Sequence, residues 1–182
     1  MNSVMRIFCF ALLSCLLLQV ARSADDDLTA GQARITDFIK TIRFSKARLF
    51  VYSLDPNDRK IYSATLPENS DQVFHRYPIL GKIEIVPKLE KEYLLKTFAK
   101  GVKQGDTNSM PRCFEPRLGL RIVTELTTND LVACYTCTLV KAYGFNTSSN
   151  YLLVPTSNYP KTAFDRLLDE YHIVKAKQGE DK

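Results

Sequence analysis

Seven glycines and two histidines in 182 residues leave few ways to build the common catalytic loops. No G-x-S-x-G, H-E-x-x-H, glycine-rich phosphate loop or dinucleotide-binding fingerprint occurs, so the chemistries those motifs support lack their sequence carriers. Charge of one sign is also scarce. The 25 Lys and Arg oppose 20 Asp and Glu spread along the chain, which makes no footprint for a nucleic acid. Long apolar runs are limited to Ile7 to Val20, about 14 residues or roughly 21 Å as a helix, short of a bilayer core of about 30 Å.

That run reads as the centre of a secretory signal. Arg6 precedes it, and Ala21-Arg22-Ser23 sets small residues where a signal peptidase cuts. The expected organisation is a signal peptide over residues 1–23, then a single globular domain over 24–182 with a frayed tail from about residue 175. The mature protein would be periplasmic or extracellular, with no transmembrane anchor after cleavage. Cleavage removes Arg6 and Arg22, two of the five net positive charges, together with Cys9 and Cys15.

In the mature part the hydrophobic period changes several times. Leu28, Ile35, Phe38, Ile39 and Ile42 fall on one face of a helix led by Asp25, Asp26 and Asp27. Ala47 to Leu54 and Lys60 to Leu66 read as a β-hairpin around Asp55-Pro56-Asn57-Asp58, and Tyr77 to Val86 as a third strand. Pro87 opens a second helix with the stripe Leu89, Tyr93, Leu94, Phe98 and Val102 and many outward lysines. Gly119 to Leu126 and Leu131 to Tyr143 read as two strands joined at Thr127-Thr128-Asn129-Asp130. Tyr151 to Val154 resembles a short edge strand, and Pro160 opens a helix with Phe164, Leu167, Leu168 and Tyr171 inward. Consecutive strands with short turns predict an α+β domain, an antiparallel sheet of about five strands with three amphipathic helices packed on it. A chain of this size buries enough surface to need no cofactor or disulfide framework for its core.

Three cysteines remain after cleavage, Cys113, Cys134 and Cys137, and an oxidising compartment favours pairing two of them. If Leu131 to Tyr143 is one strand, Cys134 and Cys137 stand roughly 10 Å apart on opposite faces, beyond disulfide reach. A two-residue turn at Thr128-Asn129 places Leu120 opposite Cys137. The expectation is therefore a structural bond from Cys113 to Cys134 or Cys137, with the third cysteine buried and free. A redox dithiol, or a metal site on Cys113, Cys134 and Cys137, is the alternative. Glu115, Arg117 and Arg121 form a candidate loop for an anion or a partner, because arginine offers forked donors to carboxylate and phosphate. His75 lies within reach of Asp71 as a base but reads as a surface or edge residue. His172 reads as a last-turn helix residue.

The stretch C-F-x-P-R-x-G, a short hairpin and a C-x-x-C, spanning Cys113 to Tyr143, resembles a group of small secreted bacterial proteins without an assigned activity. In that pattern a histidine often stands where this chain has Leu118, so any role of that histidine does not carry over. With no catalytic motif, the function expected from sequence is that of a secreted or periplasmic non-enzymatic binding protein, its partner another envelope or secreted protein. The alternative is a cysteine-dependent redox or metal-binding protein.

Overall fold

The computed structural model describes residues 28–56, 71–108, 111, 113–146 and 149–176. The expected signal peptide, Asp25 to Asp27, the expected strand Lys60 to Leu66 and the end of the tail lie outside the described residues.

The first helix, α1, covers residues 28–41 and turns Ile35 and Ile39 into the core. It leads to β1 (Arg48–Leu54), β2 (Val73–Phe74) and β3 (Tyr77–Ile85). Next come α2 (Lys88–Lys103), β4 (Leu118–Val123), β5 (Thr128–Cys134), β6 (Leu139–Tyr143), β7 (Leu152–Pro155) and α3 (Lys161–Glu170). Every strand pairing is antiparallel, in the order β2-β3-β1-β4-β5-β6-β7. The α+β class is as expected. Among the described residues the strand number is seven rather than about five: the expected strand Lys60 to Leu66 lies outside them, and the expected fifth strand is two strands, β5 and β6. The short β2 adds another, and β7 occupies the suspected edge.

Alternation along each strand sorts the side chains between two faces. Leu49 and Val51 of β1, Leu118, Leu120 and Ile122 of β4, and Leu131 and Ala133 of β5 join one large core with the inward faces of α1, α2 and α3. Each fully buried Leu, Ile or Phe there contributes about 1.5–3 kcal/mol relative to exposure. On α2 the buried stripe is Leu94, Leu95, Phe98 and Val102, whereas Leu89 and Tyr93 are exposed. Not all α2 lysines face outward: Lys91 is buried, and its Nζ donates to the Ala47 carbonyl at 2.7 Å. Gln32 ties α1 to the end of α2, its Nε2 donating to Val102 O at 2.7 Å and Gly105 O at 3.0 Å. The inward face of α3 is Phe164, Leu167 and Leu168; Tyr171 and His172 lie just past it and are exposed, with His172 at φ 53°.

The other sheet face carries a smaller cluster of Tyr52, Leu54, Phe74, Tyr77 and Val132. The β2–β3 turn bends back across this face. Phe74 stacks on Tyr52 of β1, and His75 stacks on Tyr143 of β6, with centroids 4.3 Å and 3.7 Å apart. The bend passes through His75 and Arg76, both at positive φ, an uncommon backbone for residues with a side chain. Gly119 makes room for it: a Cβ there would stand 2.7 Å from the Phe74 ring.

The β4–β5 hairpin turns earlier than its expected Thr128-Asn129 centre. Val123 faces Thr128 and Leu120 faces Leu131, so the loop is Thr124 to Thr127 and Leu120 is not opposite Cys137. The Thr124 hydroxyl sets this loop by accepting from the Thr127 and Leu126 amides at 3.0 Å and 3.3 Å. Asn129 is then drawn into β5, where its Nδ2 donates to Gly144 O at 2.7 Å.

Candidate functional site

Cys113, Cys134 and Cys137 meet at the end of the β5–β6 hairpin. Strand β5 ends at Cys134, which pairs with Leu139 at the start of β6, and Tyr135 to Thr138 make the turn between them. Thr138 takes φ 49°, and the Cys137 amide donates to Cys134 Sγ at 3.1 Å. The turn brings the Cα atoms of Cys134 and Cys137 to 5.3 Å, inside the range of a disulfide, and these two are bonded.

The expected pairing is thereby corrected. Residues three apart cannot bond within a strand, but the apolar run from Leu131 to Tyr143 is broken by a turn at the cysteines themselves. Cys113 is the free thiol, and it is exposed rather than buried. Its sulfur nevertheless stands 3.0 Å from Cys137 Sγ. The strand-like path before β4 delivers it: the Arg117 amide donates to Ala133 O at 3.3 Å and the Leu54 amide to Arg117 O at 3.1 Å, extending the pairing with β5 and with β1 to the residue before β4. Cys134 and Cys137 are almost wholly buried, so the only exposed member of the cluster is Cys113.

The proposed anion loop is divided by the structure. Glu115 and Arg117 line a cavity under α3, while Arg121 projects from the opposite sheet face. There its guanidinium grips Asp130 in two bonds, Nε to Oδ1 at 2.8 Å and Nη2 to Oδ2 at 2.7 Å. Its Cζ also lies 5.2 Å from the Phe74 ring centroid.

Asp130 has a second partner that its sequence position did not suggest. His75 Nε2 lies 2.8 Å from Asp130 Oδ2 in a contact where His75 is 9% exposed and Asp130 6%. His75 is thus a buried partner of Asp130 rather than a surface residue. Only the return of the β2–β3 turn across the sheet joins residues 75 and 130, and a composition or period cannot report that. Burial pushes the Asp130 carboxyl up, but donation from Arg121 and then His75 outweighs it and holds the carboxyl below its ordinary value. The bond to Asp130 raises the Arg121 guanidinium against the opposing effect of burial. Asp130 and Cys134 stand four steps apart along β5, roughly 13 Å, so this ion cluster does not act directly on the sulfurs.

Among the described residues no group of three or more His, Cys, Asp or Glu side chains is arranged to hold a metal ion. Within the same residues no helix is long and apolar enough to cross a membrane. No family model, curated protein or solved structure matches the chain.

Proposed function

We propose that the mature protein is a secreted or periplasmic thiol–disulfide protein whose working group is Cys113 with the Cys134–Cys137 bond. The observation that carries this reading is the 3.0 Å contact between the exposed Cys113 thiol and Cys137 Sγ. Once deprotonated, Cys113 Sγ attacks Cys137 Sγ; the new Cys113–Cys137 bond forms as the Cys134–Cys137 bond breaks, and Cys134 leaves as a thiolate that takes up a proton. No external oxidant is needed for this isomerisation. A substrate thiol attacking the bond yields a mixed disulfide, and a second thiol releases the oxidised substrate and the reduced protein.

Energetics favour chemistry over stapling at this pair. In the chain-entropy account, a bond closing a ring of about four residues contributes about 2 kcal/mol, whereas a Cys113–Cys137 bond closing about 25 contributes about 3.5 kcal/mol. The less stabilising bond is the one formed, with the alternative a sulfur contact away. Peptide mapping after alkylation, in glutathione buffers of increasing oxidised fraction, tests the reading. It expects both pairings and a glutathione adduct. A single pairing that no buffer changes, with Cys113 alkylated throughout, sinks it.

A binding role is the second reading, and a different observation favours it. The sheet face opposite α1, α2 and α3 sets cations on aromatic rings: Lys82 lies 4.9 Å from the Phe50 centroid, Lys141 4.5 Å from Phe114 and 4.8 Å from Tyr151, and Arg48 4.7 Å from Phe50. Such a face suits an acidic envelope or secreted protein rather than a nucleic acid, given the small net charge. Pull-down from envelope extract by the wild type, lost on Lys82→Glu with Lys141→Glu, would support it. Equal capture by both proteins would count against it.

A further inference from the structure

The cavity under α3 contains a feature that the cysteine chemistry does not use. Its volume is about 190 Å³, and it lies between the ends of β1 and β5 and the inner side of α3, where Phe164 and Leu168 line it. Three hydroxyl-bearing residues, Ser53, Tyr135 and Thr136, share this lining, and Thr136 is exposed while the other two are buried. Ser53 is 1% exposed and Tyr135 9%. Among the described residues neither Ser53 Oγ nor the Tyr135 hydroxyl oxygen has a hydrogen-bond partner. A buried polar group left in that condition costs about 1–3 kcal/mol, and two in one cavity double it. Ser53 continues the inward series of Leu49 and Val51 on β1, where an apolar residue would carry no such penalty.

We infer that this cavity binds a small oxyanion, a carboxylate or a phosphate, through the Ser53 and Tyr135 hydroxyls and the Arg117 guanidinium. Cations outnumber acids in its lining: Arg117, Lys161 and Lys175 against Glu115 and Asp165. Lys161 pairs with Asp165, which blunts the nearer negative charge. Burial first, and the Asp165 charge second, push the Tyr135 hydroxyl well above its ordinary value, so it keeps its proton and donates. A hydroxyl donor and a guanidinium lining one space are the groups that recognise an oxyanion. The volume admits about six water-sized groups, enough for phosphate or a short carboxylate and too little for a nucleotide.

Titration calorimetry and thermal shift of the purified protein with acetate, lactate, phosphate and the neutral isostere acetamide test the assignment. At least one anion is expected to bind and raise Tm while acetamide does neither; phosphate alone or carboxylates alone identify the source. Tyr135→Phe keeps the ring and removes the hydroxyl, and is expected to weaken the anion about tenfold or more without loss of fold. Arg117→Met should do the same. If Tyr135→Phe does not fold, Ser53→Ala reads the same loss. Cys113→Ser should bind as the wild type does, which separates this site from the thiol chemistry. Binding by acetamide equal to acetate, no response to any of the anions, or unchanged affinity in the folded hydroxyl variants overturns the inference.

Discussion

Cys113 and Cys137, 24 residues apart, place their sulfurs 3.0 Å from each other, while Cys137 is bonded to Cys134. Stability and reactivity should therefore respond differently to each cysteine. Cys113→Ser is expected to change stability by no more than about 0.5 kcal/mol, as for an exposed unbonded side chain. Cys134→Ser should leave Cys137 to bond Cys113, preserving a disulfide of a different ring size. Denaturant unfolding with peptide mapping checks both; a loss above about 2 kcal/mol in Cys113→Ser would mean that Cys113 carries the structural bond after all.

Asp130 is held by two donors in a buried setting. Asp130→Asn removes the charge that compensates Arg121, and is expected to cost about 3 kcal/mol. His75→Gln, which removes the other partner and retains a donor, should cost less. Urea unfolding at neutral pH ranks the two; equal or negligible losses would show that the cluster does not hold the β2–β3 turn to the sheet.

The same carboxyl sets an acid response. Its folded value is below the ordinary one, so the unfolded chain binds the proton more readily. Its contribution to stability is complete above the unfolded value of about 3.9 and is lost as pH falls from there through the folded value. Asp130→Asn should flatten the stability curve in that acidic window and leave its slope near neutrality unchanged. An identical acid slope in the variant would remove Asp130 as the cause.

Gly119→Ala pushes a methyl group toward the Phe74 ring, 2.7 Å away. Overpacking at such a contact is expected to cost about 1–3 kcal/mol. Near-ultraviolet circular dichroism should report the accompanying change around Tyr52 and Tyr143, since Phe74 and His75 are the rings stacked on them. Recovery of stability in the Gly119→Ala, Phe74→Leu double variant would confirm that the ring is the obstacle.

Lys91→Met keeps the length of the side chain and loses its donor. The Ala47 carbonyl then loses the 2.7 Å bond from Nζ, and about 1–2 kcal/mol of stability should go with it. A neutral or stabilising result would mean that burial of the ammonium already offsets the bond.

Local pattern disclosed much of this fold, and distance in the chain hid the rest. The inward spacing of Ile35 and Ile39, of Phe98 and Val102, and of Phe164 and Leu168 belongs to single helices, so the helical period alone places it. The period is silent where a turn contains apolar residues. Tyr135 and Cys137 are buried within the turn between β5 and β6, which makes the run read as one strand and hides the reach from Cys134 to Cys137. The sulfur cluster was visible as an odd cysteine count, without its pairing. The His75–Asp130 contact had no local signal, because it depends on a hairpin folding over strands that come later in the chain.

Strand β1 lies inside the sheet, between β3 and β4, although it precedes every other described strand. Its register with β4, Arg48 opposite Val123, must wait for the chain that makes β2, β3 and α2. Strands β4 to β7 pair only with sequence neighbours on the far side of that line, so they can zip up from short loop closures at small entropic penalty, whereas joining β1 to β4 closes a much longer loop. The molecule thus has a kinetic seam between its first and fourth strands. Cys134 and Cys137 lie within one local hairpin of the later half and can find each other before that seam closes.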